Sequence, residues 1–530
     1  MSAAKPHKRI SIGSAATLLI TVAMFGQLLG FLRNRLISTN FTATDPGSSD
    51  AFFVAFQIPD FFFYTIAAGA LGVAFIPVLS DKLHLGERKQ MWNLTNSLLN
   101  ILAIVMAVIG VLIFVFAEQL IGLLAPNLKP ENFDQAVTIM RIIAFNPLLF
   151  TLSGVITSVQ QTMGRFFFFA IAPLVYNISI IFSLYILGGS IGIVGLGVGA
   201  LIGAFLQLGV ACAGMWGFGY RYRPIIKWKS GDFKNVMGNL PARSLDQGID
   251  QINSIVETNR AQALGIGPVS YYNYALTLQN VPIMLIGTSI ATAAFPRLTE
   301  RLAQNRRDLF RKDFLEILRI IIWLAVPVVI ASYFARGYLA RLIFGDVAPE
   351  VALIFGFLAA SIFFRIIYAM LSRWFYAQKD TRTPLFISII AIALNIYLAF
   401  TLARPSEGGG YDIAGLAMAQ SIVAVIEVAI LTIIMIIRDS RMLDPSFIGA
   451  LVKILSVSGF TILTAYAMVR WLPLNIADKG IFTLGFKLAA ICGVTFLVHA
   501  GVSWVFGLRE VEPVLRKVKK LILRPIRFEQ

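Results

Sequence analysis

Charge is what this sequence has least of: 14% of its 530 residues are Asp, Glu, Lys or Arg, against 57% that are hydrophobic. A soluble domain carries about 25% charged residues and is about half apolar. One water-soluble core cannot bury so much apolar surface, so a bilayer must, at roughly 20 apolar residues per spanning helix. Cysteine is scarce too. Cys212 and Cys492 both fall inside apolar runs, which argues against a disulfide framework and reads as helix packing. His7, His84 and His499 share no ligand spacing. There is no phosphate-cradling glycine loop, no HExxH and no Ser-His-Asp set, so no enzyme, no cofactor and no direct use of ATP are expected. The first apolar stretch follows Lys5, Lys8 and Arg9 without a peptidase site and reads as a retained helix.

What is present is a succession of apolar runs. They fall near 14–38, 50–80, 91–117, 135–160, 166–188, 191–216, 234–262, 268–296, 313–335, 350–378, 383–402, 412–437, 448–470 and 481–507. With the N-terminus placed in the cytoplasm, the inside segments hold 29 Lys and Arg residues and the outside loops 6. That alternation is the positive-inside pattern of about fourteen transmembrane helices with both termini cytoplasmic. The formal charge of +17 is therefore a topology signal, and nucleic acid is not an expected partner.

The chain also repeats weakly. Ala74-Phe75-Ile76-Pro77 answers Ala294-Phe295-Pro296, Gly195-Leu196 answers Gly415-Leu416, and Asn177 answers Asn395, at offsets of 220, 220 and 218 residues. Six spans separate the copies, so the fold expected is all-α, with two parallel six-helix lobes and two added C-terminal helices. The boundaries expected are 1–220, 221–440, 441–508 for the last two helices, and 509–530 for a basic cytoplasmic tail. A parallel repeat places a substrate path between lobes near the midplane.

Charged groups inside spans are costly and mark cavities or pairs. Arg243, Asp246, Asp250, Asn253, Glu257 and Arg260 of span seven fall within an arc of about 100° on one helix face. This stripe reads as internal pairing, as the wall of a hydrated cavity, or as both. Span one carries Gln27 and then Gly30, Arg33, Asn34 and Arg35, with interfacial snorkelling as the plain reading of Arg35 and the lesser of the readings of Arg33. Arg365 sits in the middle of span ten, with Tyr368, Ser372 and Tyr376 on the same side, and reads as cavity-facing. Span two runs long, with Pro59, Gly69, Gly72 and Pro77 as places to bend and Asp50, Gln57 and Asp60 in its outer part.

Four segments then resemble a known family. They are Gly30-Phe31-Leu32-Arg33-Asn34, Ser49-Asp50-Ala51-Phe52-Phe53-Val54-Ala55-Phe56-Gln57-Ile58-Pro59, Gly164-Arg165-Phe166 with Ala172-Pro173-Leu174-Val175-Tyr176-Asn177, and Phe375-Tyr376-Ala377-Gln378-Lys379-Asp380-Thr381-Arg382-Thr383-Pro384. Together they are similar to the MurJ/MviN lipid II flippases of the MOP exporter superfamily. The resemblance implies a cationic central cavity, alternating access, a lipid-tail groove on helices 13 and 14, and arginines that bind a pyrophosphate through their donor fork. Arg33 matches one of these directly. The chain departs from the family at Gln27, at Phe63, Tyr64 and Ala68, at Glu257-Thr258 and at Thr277, where charged residues are usual.

The resulting expectation is a flippase, in a bacterial cytoplasmic membrane, for the undecaprenyl-pyrophosphate-linked muropeptide lipid II. Expected substrate contacts are Arg33, Arg260, Arg365, Gln27, Asn34, Asp50 and Gln57. Asp246, Asp250, Glu257 and Asn395 are expected to pair charges or to couple Na+ or H+. Membrane lipids and cell-wall synthesis proteins are the other partners expected. The alternatives are an exporter of another lipid-linked glycan or a drug, and a non-transporting scaffold in wall synthesis.

Overall fold

The computed structural model describes residues 12–41, 48–68, 75–265, 267–345, 348–442, 444–475, 478 and 480–512. Side chains at 12–21, 23, 67–68, 239–247 and 481 lie outside this description, Arg243 and Asp246 among them, as do Gly69, Gly72 and most of the basic tail. Most of the described residues are helical, and none of them lies in a strand. Eleven of their helices are long and apolar enough to cross a bilayer, and these correspond to spans three to six and eight to fourteen. Spans one, two and seven complete the fourteen; seven is the polar one, and residues 69–74 of span two lie outside the description.

The chain divides into two compact units, Met1–Ser270 and Tyr271–Gln530. Unit one holds α1 (Ile12–Asn40), α2 (Ser49–Phe62), α3 (Ile76–His84), α4 (Arg88–Val115), α5 (Ala117–Leu124), α6 (Pro130–Ile143), α7 (Asn146–Thr162), α8 (Phe166–Ile191), α9 (Val194–Ala213) and α10 (Gly231–Ala263). Span two is α2 and α3, and span four is α6 and α7. After α2 the helix widens into a π turn over Phe63–Ala68, one turn beyond Pro59, whose ring removes a helical donor. α10 packs on α2 and this π turn, so span seven belongs to unit one by contact.

The tightest seam in unit one joins α8 to α9. Gly195, Gly199 and Gly203 recur every four residues on α9 and let its backbone approach α8. A Cβ at Gly195 would stand 2.8 Å from Leu187 Cβ, one at Gly203 would stand 3.0 Å from Ser179 Cβ, and one at Gly199 would overlap Ser183. Ser179 Oγ donates to the Gly199 carbonyl at 2.8 Å, a bond that this proximity allows.

The connection from α9 to α10 is clamped along α4. Asn100 Nδ2 donates to the carbonyls of Arg223 (3.0 Å) and Ile225 (2.9 Å), and Tyr222 Oη donates to Asn100 Oδ1 at 2.6 Å. One turn away Tyr220 Oη donates to Asn96 Oδ1 at 2.6 Å, and Lys227 N donates to Ser97 Oγ at 2.9 Å. An extended segment without helical hydrogen bonds is thus satisfied by side chains from the polar end of a span. Asn100→Leu is expected to destabilise unit one by about 2 kcal/mol, because three partners lose their bonds together. A lower melting temperature and faster protease nicking between 218 and 230 would register it.

Unit two holds α11 (Pro268–Pro282, from Tyr271 onward), α12 (Ser289–Ala303), α13 (Arg307–Phe334), α14 (Arg336–Phe344), α15 (Ala348–Ala377), α16 (Arg382–Leu402), α17 (Ala414–Arg438), α18 (Pro445–Trp471) and α19 (Ile481–Val505). α15 packs against α13 and α17, and α18 pairs with α19. Trp323 on α13 is fully buried and donates its indole N–H to Ser503 Oγ on α19 at 2.8 Å. Thr461 on α18 lies 2.9 Å from His499 Nδ1 on α19, so the two C-terminal helices are joined by polar contacts as well as by packing.

The repeat seen in the sequence returns in the backbone. A second π turn spans Ile283–Thr288, directly after Pro282, at an offset of 220 residues from the first. One expectation needs correcting: Cys212 is exposed and Cys492 half-buried, both as free thiols, so Cys212 is not a packing residue.

Candidate functional site

Arg33 on α1 is held by the side chains of two asparagines. Its Nε and Nη2 donate to Asn34 Oδ1 at 3.1 and 3.0 Å, and its Nη1 donates to Asn177 Oδ1 on α8 at 3.0 Å. Both acceptors are neutral amides, so they orient the guanidinium without cancelling its charge. Asn34 is buried, which places it as the support of Arg33. Asp60 on α2 interacts electrostatically with Arg33, and Tyr64 and Tyr176 stand in the same field. Asp60 was not among the residues expected to form the site, although its position one turn from a π distortion marks it.

α10 carries the second group. Glu257 is buried and accepts from Asn253 Nδ2 at 3.1 Å, one turn back on the same helix. Gln57 Oε1 on α2 accepts from Ser254 Oγ at 3.2 Å, tying the start of span two to span seven. Gly248 meets Thr65 of the π turn closely: a Cβ there would come within 3.0 Å of the Thr65 methyl. Arg260 is half-buried near the end of the helix, whereas Asp250 is exposed. Of the polar stripe, Asp250 to Arg260 can therefore be followed, and Arg243 and Asp246 lie outside the described side chains.

Asp50 sits at the start of α2 and is fully committed. Its carboxylate accepts from Gly267 N and Ser270 N, both at 2.8 Å, and from the Ser270 hydroxyl. These are the orphan donors at the start of α11, so Asp50 caps that helix from a distance in sequence. Ser49 Oγ adds a 2.7 Å contact to Ser270 Oγ. The geometry is that of a positioning residue. Gln27 is half-buried on α1, six residues before Arg33.

In unit two, Arg365 is half-buried on α15. Three residues on, Tyr368 Oη contacts Ser388 Oγ at 3.0 Å, and Ser388 Oγ donates to Glu427 Oε1 at 2.9 Å, a chain across α15, α16 and α17. Glu427 is buried and is the one acidic residue of α17, a signal that hydropathy reading passed over. Asn395 is buried on α16, two turns from Ser388.

The most specific sequence motif, at 375–384, turns out to be a joint. Asp380 Oδ1 accepts from Arg382 N and Thr383 N at 3.0 Å each, which caps α16, and Asp380 Oδ2 accepts from Thr383 Oγ1 at 2.6 Å. Arg438, at the end of α17, reaches the same carboxylate at 2.5 Å and Thr383 Oγ1 at 2.7 Å. Burial alone would raise the Asp380 carboxyl, but the Thr383 hydroxyl and amide and the Arg438 guanidinium overcome it and hold it at about 2. Because this lies below the ordinary carboxylate value, the stability it contributes is present above about pH 4 and is lost as pH falls toward 2. With the side chain partly exposed, the contribution is about 1 kcal/mol. The gap in melting temperature between the wild-type chain and Asp380→Asn is expected to close over that interval, and a gap that stays constant would refute the assignment.

Helices that are too apolar for water, distorted at matched places in a repeat and carrying a braced arginine, define a multi-pass membrane protein built from two related halves. The same fold occurs in a lipid II flippase MurJ in an inward closed conformation, with a TM-score of 0.77 and 22% identity over 92% of this chain and 98% of that one. It also occurs in an inward-facing multidrug resistance MATE transporter of the MOP superfamily, with a TM-score of 0.63 and 15% identity over 81% of this chain and 98% of that one. The model of the lipid II flippase MurJ family matches residues 43–493. The chain belongs to that family. Among curated relatives, the lipid II flippase MurJ of Burkholderia cenocepacia is 24% identical over 512 residues, covering 93% of this chain and 97% of the relative. The probable lipid II flippase MurJ of Thermotoga maritima is 24% identical over 505 residues, covering 93% and 96%.

Proposed function

We propose that this chain is a flippase that moves lipid II from the inner to the outer leaflet of a bacterial cytoplasmic membrane by alternating access. The observation that carries the reading is Arg33, held by two neutral amides within a chain whose family membership spans most of its length. A guanidinium oriented in this way offers paired N–H donors to a diphosphate. Arg33 and Arg260 are assigned to the diphosphate in unit one, with Gln27 and Gln57 as neutral partners and Asn34 and Asp50 as positioning residues. Arg365 is assigned to a substrate contact in unit two. Asp250, Glu257, Asn395 and Asp246 remain the proposed coupling or charge-pairing groups, and Glu427 joins them through its chain to Ser388 and Tyr368.

The reaction class is transport without bond chemistry. Both termini are placed in the cytoplasm, so that the 29 basic loop residues face inward. Release of an anionic headgroup outward is then favoured by an inside-negative potential, by about 2.3 kcal/mol per charge per 100 mV. Complementation of a flippase-depleted strain tests the proposal. Restored lipid II export and growth are expected; a chain that reaches the membrane and restores neither would sink it.

A further inference from the structure

Glu427 lies at the middle of α17, thirteen residues from its start and eleven from its end, and is buried. An ionisable group at such a depth is costly and is characteristic of proton and ion pathways. Its hydrogen bonding has a direction. Ser388 Oγ on α16 donates to Glu427 Oε1 at 2.9 Å, which spends the single hydrogen of that hydroxyl. The 3.0 Å contact between Ser388 Oγ and Tyr368 Oη on α15 then has Tyr368 as its donor. The chain is polarised from Tyr368 through Ser388 to the carboxylate. Ser388 and Tyr368 are each half-buried, so it leads away from the sealed end at Glu427.

The three helices are fastened on both sides of this chain. Ser421 Oγ on α17, six residues before Glu427, donates to Phe357 O on α15 at 2.6 Å. Eleven residues after Glu427, Arg438 binds Asp380 and Thr383 at the start of α16. The spacing of the three oxygens is thus set by a helical frame. The charged and titratable side chains of the packed helices are few. α15 brings Tyr368 and, one turn before it, Arg365; its Arg373 is turned to α12, over the Phe295 ring. α16 brings the neutral Ser388, and its two titratable side chains, Arg382 and Tyr397, lie six and nine residues away from it. α17 itself adds Arg438, which is bound to Asp380.

We propose that Glu427 is a proton-binding site, loaded and emptied through Ser388 and Tyr368. This deepens the coupling role given to Glu427 above by naming H+ as the ion, and it rests on that reading of the chain as a transporter. A hydronium that reaches Tyr368 gives its proton to Oη. Tyr368 passes its own hydrogen to Ser388 Oγ, and Ser388 passes its own to Glu427 Oε1. One water is left behind, one O–H forms at the carboxyl, and both hydrogen bonds of the chain survive with donor and acceptor exchanged. The neutral Glu427 then donates to Ser388, and Ser388 to Tyr368. Release runs the same steps backwards.

The test uses the purified full chain in nanodiscs, followed by infrared difference spectra between acid and alkaline buffer. A protonated-carboxyl band is expected to rise on acidification and to be lost in Glu427→Gln, whose amide oxygen still accepts from Ser388. Ser388→Ala and Tyr368→Phe keep the carboxyl and interrupt its route. After a pH jump each is expected to gain the band about a hundredfold more slowly than wild type, and Ser388→Thr to restore the rate. Identical difference spectra in wild type and Glu427→Gln would overturn the site, and wild-type rates in both route variants would overturn the relay. A band abolished by sodium chloride at fixed pH would overturn the choice of H+. Should Glu427→Gln fail to fold, Ser388→Ala still decides, because losing its partner must move the frequency of the Glu427 band, and an unmoved band ends the proposal. No lipid II enters the measurement, so its outcome and that of complementation are independent.

Discussion

Arg33→Ala is expected to reach the membrane at the wild-type level and to lose export of lipid-linked precursor by about a hundredfold, leaving a flippase-depleted strain without growth. The estimate follows from removing two charge-assisted hydrogen bonds, each of which contributes about 1.5 kcal/mol to a bound anion. Arg33→Lys separates charge from shape. It keeps the cation but cannot engage Asn34 and Asn177 and also present a fork, so an intermediate loss is expected. Asn177→Ala should move in the same direction by a smaller step, because it frees the guanidinium without removing it. Full export by Arg33→Ala, at verified expression, would leave the scaffold reading standing and end the role assigned to this residue.

Gly199→Leu is expected to remove the folded protein from the membrane fraction altogether. The Ser183 side chain and the Ser179 carbonyl occupy the space that a side chain at 199 would take. No rotamer change on α8 relieves a clash with its backbone, so the helices must separate. Overpacking costs about 3 kcal/mol at the severe end, and separation also breaks the bond from Ser179 to Gly199 O. Gly209→Leu on the same helix is the control, since a Cβ there meets nothing within 4 Å. A Gly199→Leu chain that purifies with normal yield and melting temperature would show that the seam tolerates far more room than its geometry allows.

The architecture was largely legible in the chain because spanning length and loop charge are bilayer constraints that act on every helix separately. The repeat was legible for a similar reason: Ala74-Phe75 and Ala294-Phe295 kept their spacing, and the π turns at Phe63 and Ile283 keep it too. That the helices would widen there was not legible, since a π turn depends on what packs against it as well as on the nearby proline. Arg33 and Asn177 were both singled out, but not as partners, because their contact joins residues 144 apart. Asp50 was assigned to the substrate by its place in a motif, while its bonds are spent on Gly267 and Ser270, more than two hundred positions away. Glu427 was overlooked for a simpler reason. A single carboxylate in a long apolar run barely alters mean hydropathy, and its hydrogen bond to Ser388 is invisible until α16 and α17 are paired. The closed Asp380–Arg438 joint shows the opposite failure, a highly recognisable motif whose visible work is mechanical.

The α8–α9 seam bears on how the chain is made. Only Gly192 and Ile193 separate the two helices, and Gly192 turns the chain with φ at 61°. Nothing further along the chain is needed for their glycine and serine contacts, so the pair can zip together as soon as residue 213 has left the ribosome. The spans that follow would then be released beside a hairpin already locked in register, and a nascent chain arrested shortly after α9 should already show it by cross-linking between α8 and α9 at positions other than the seam glycines.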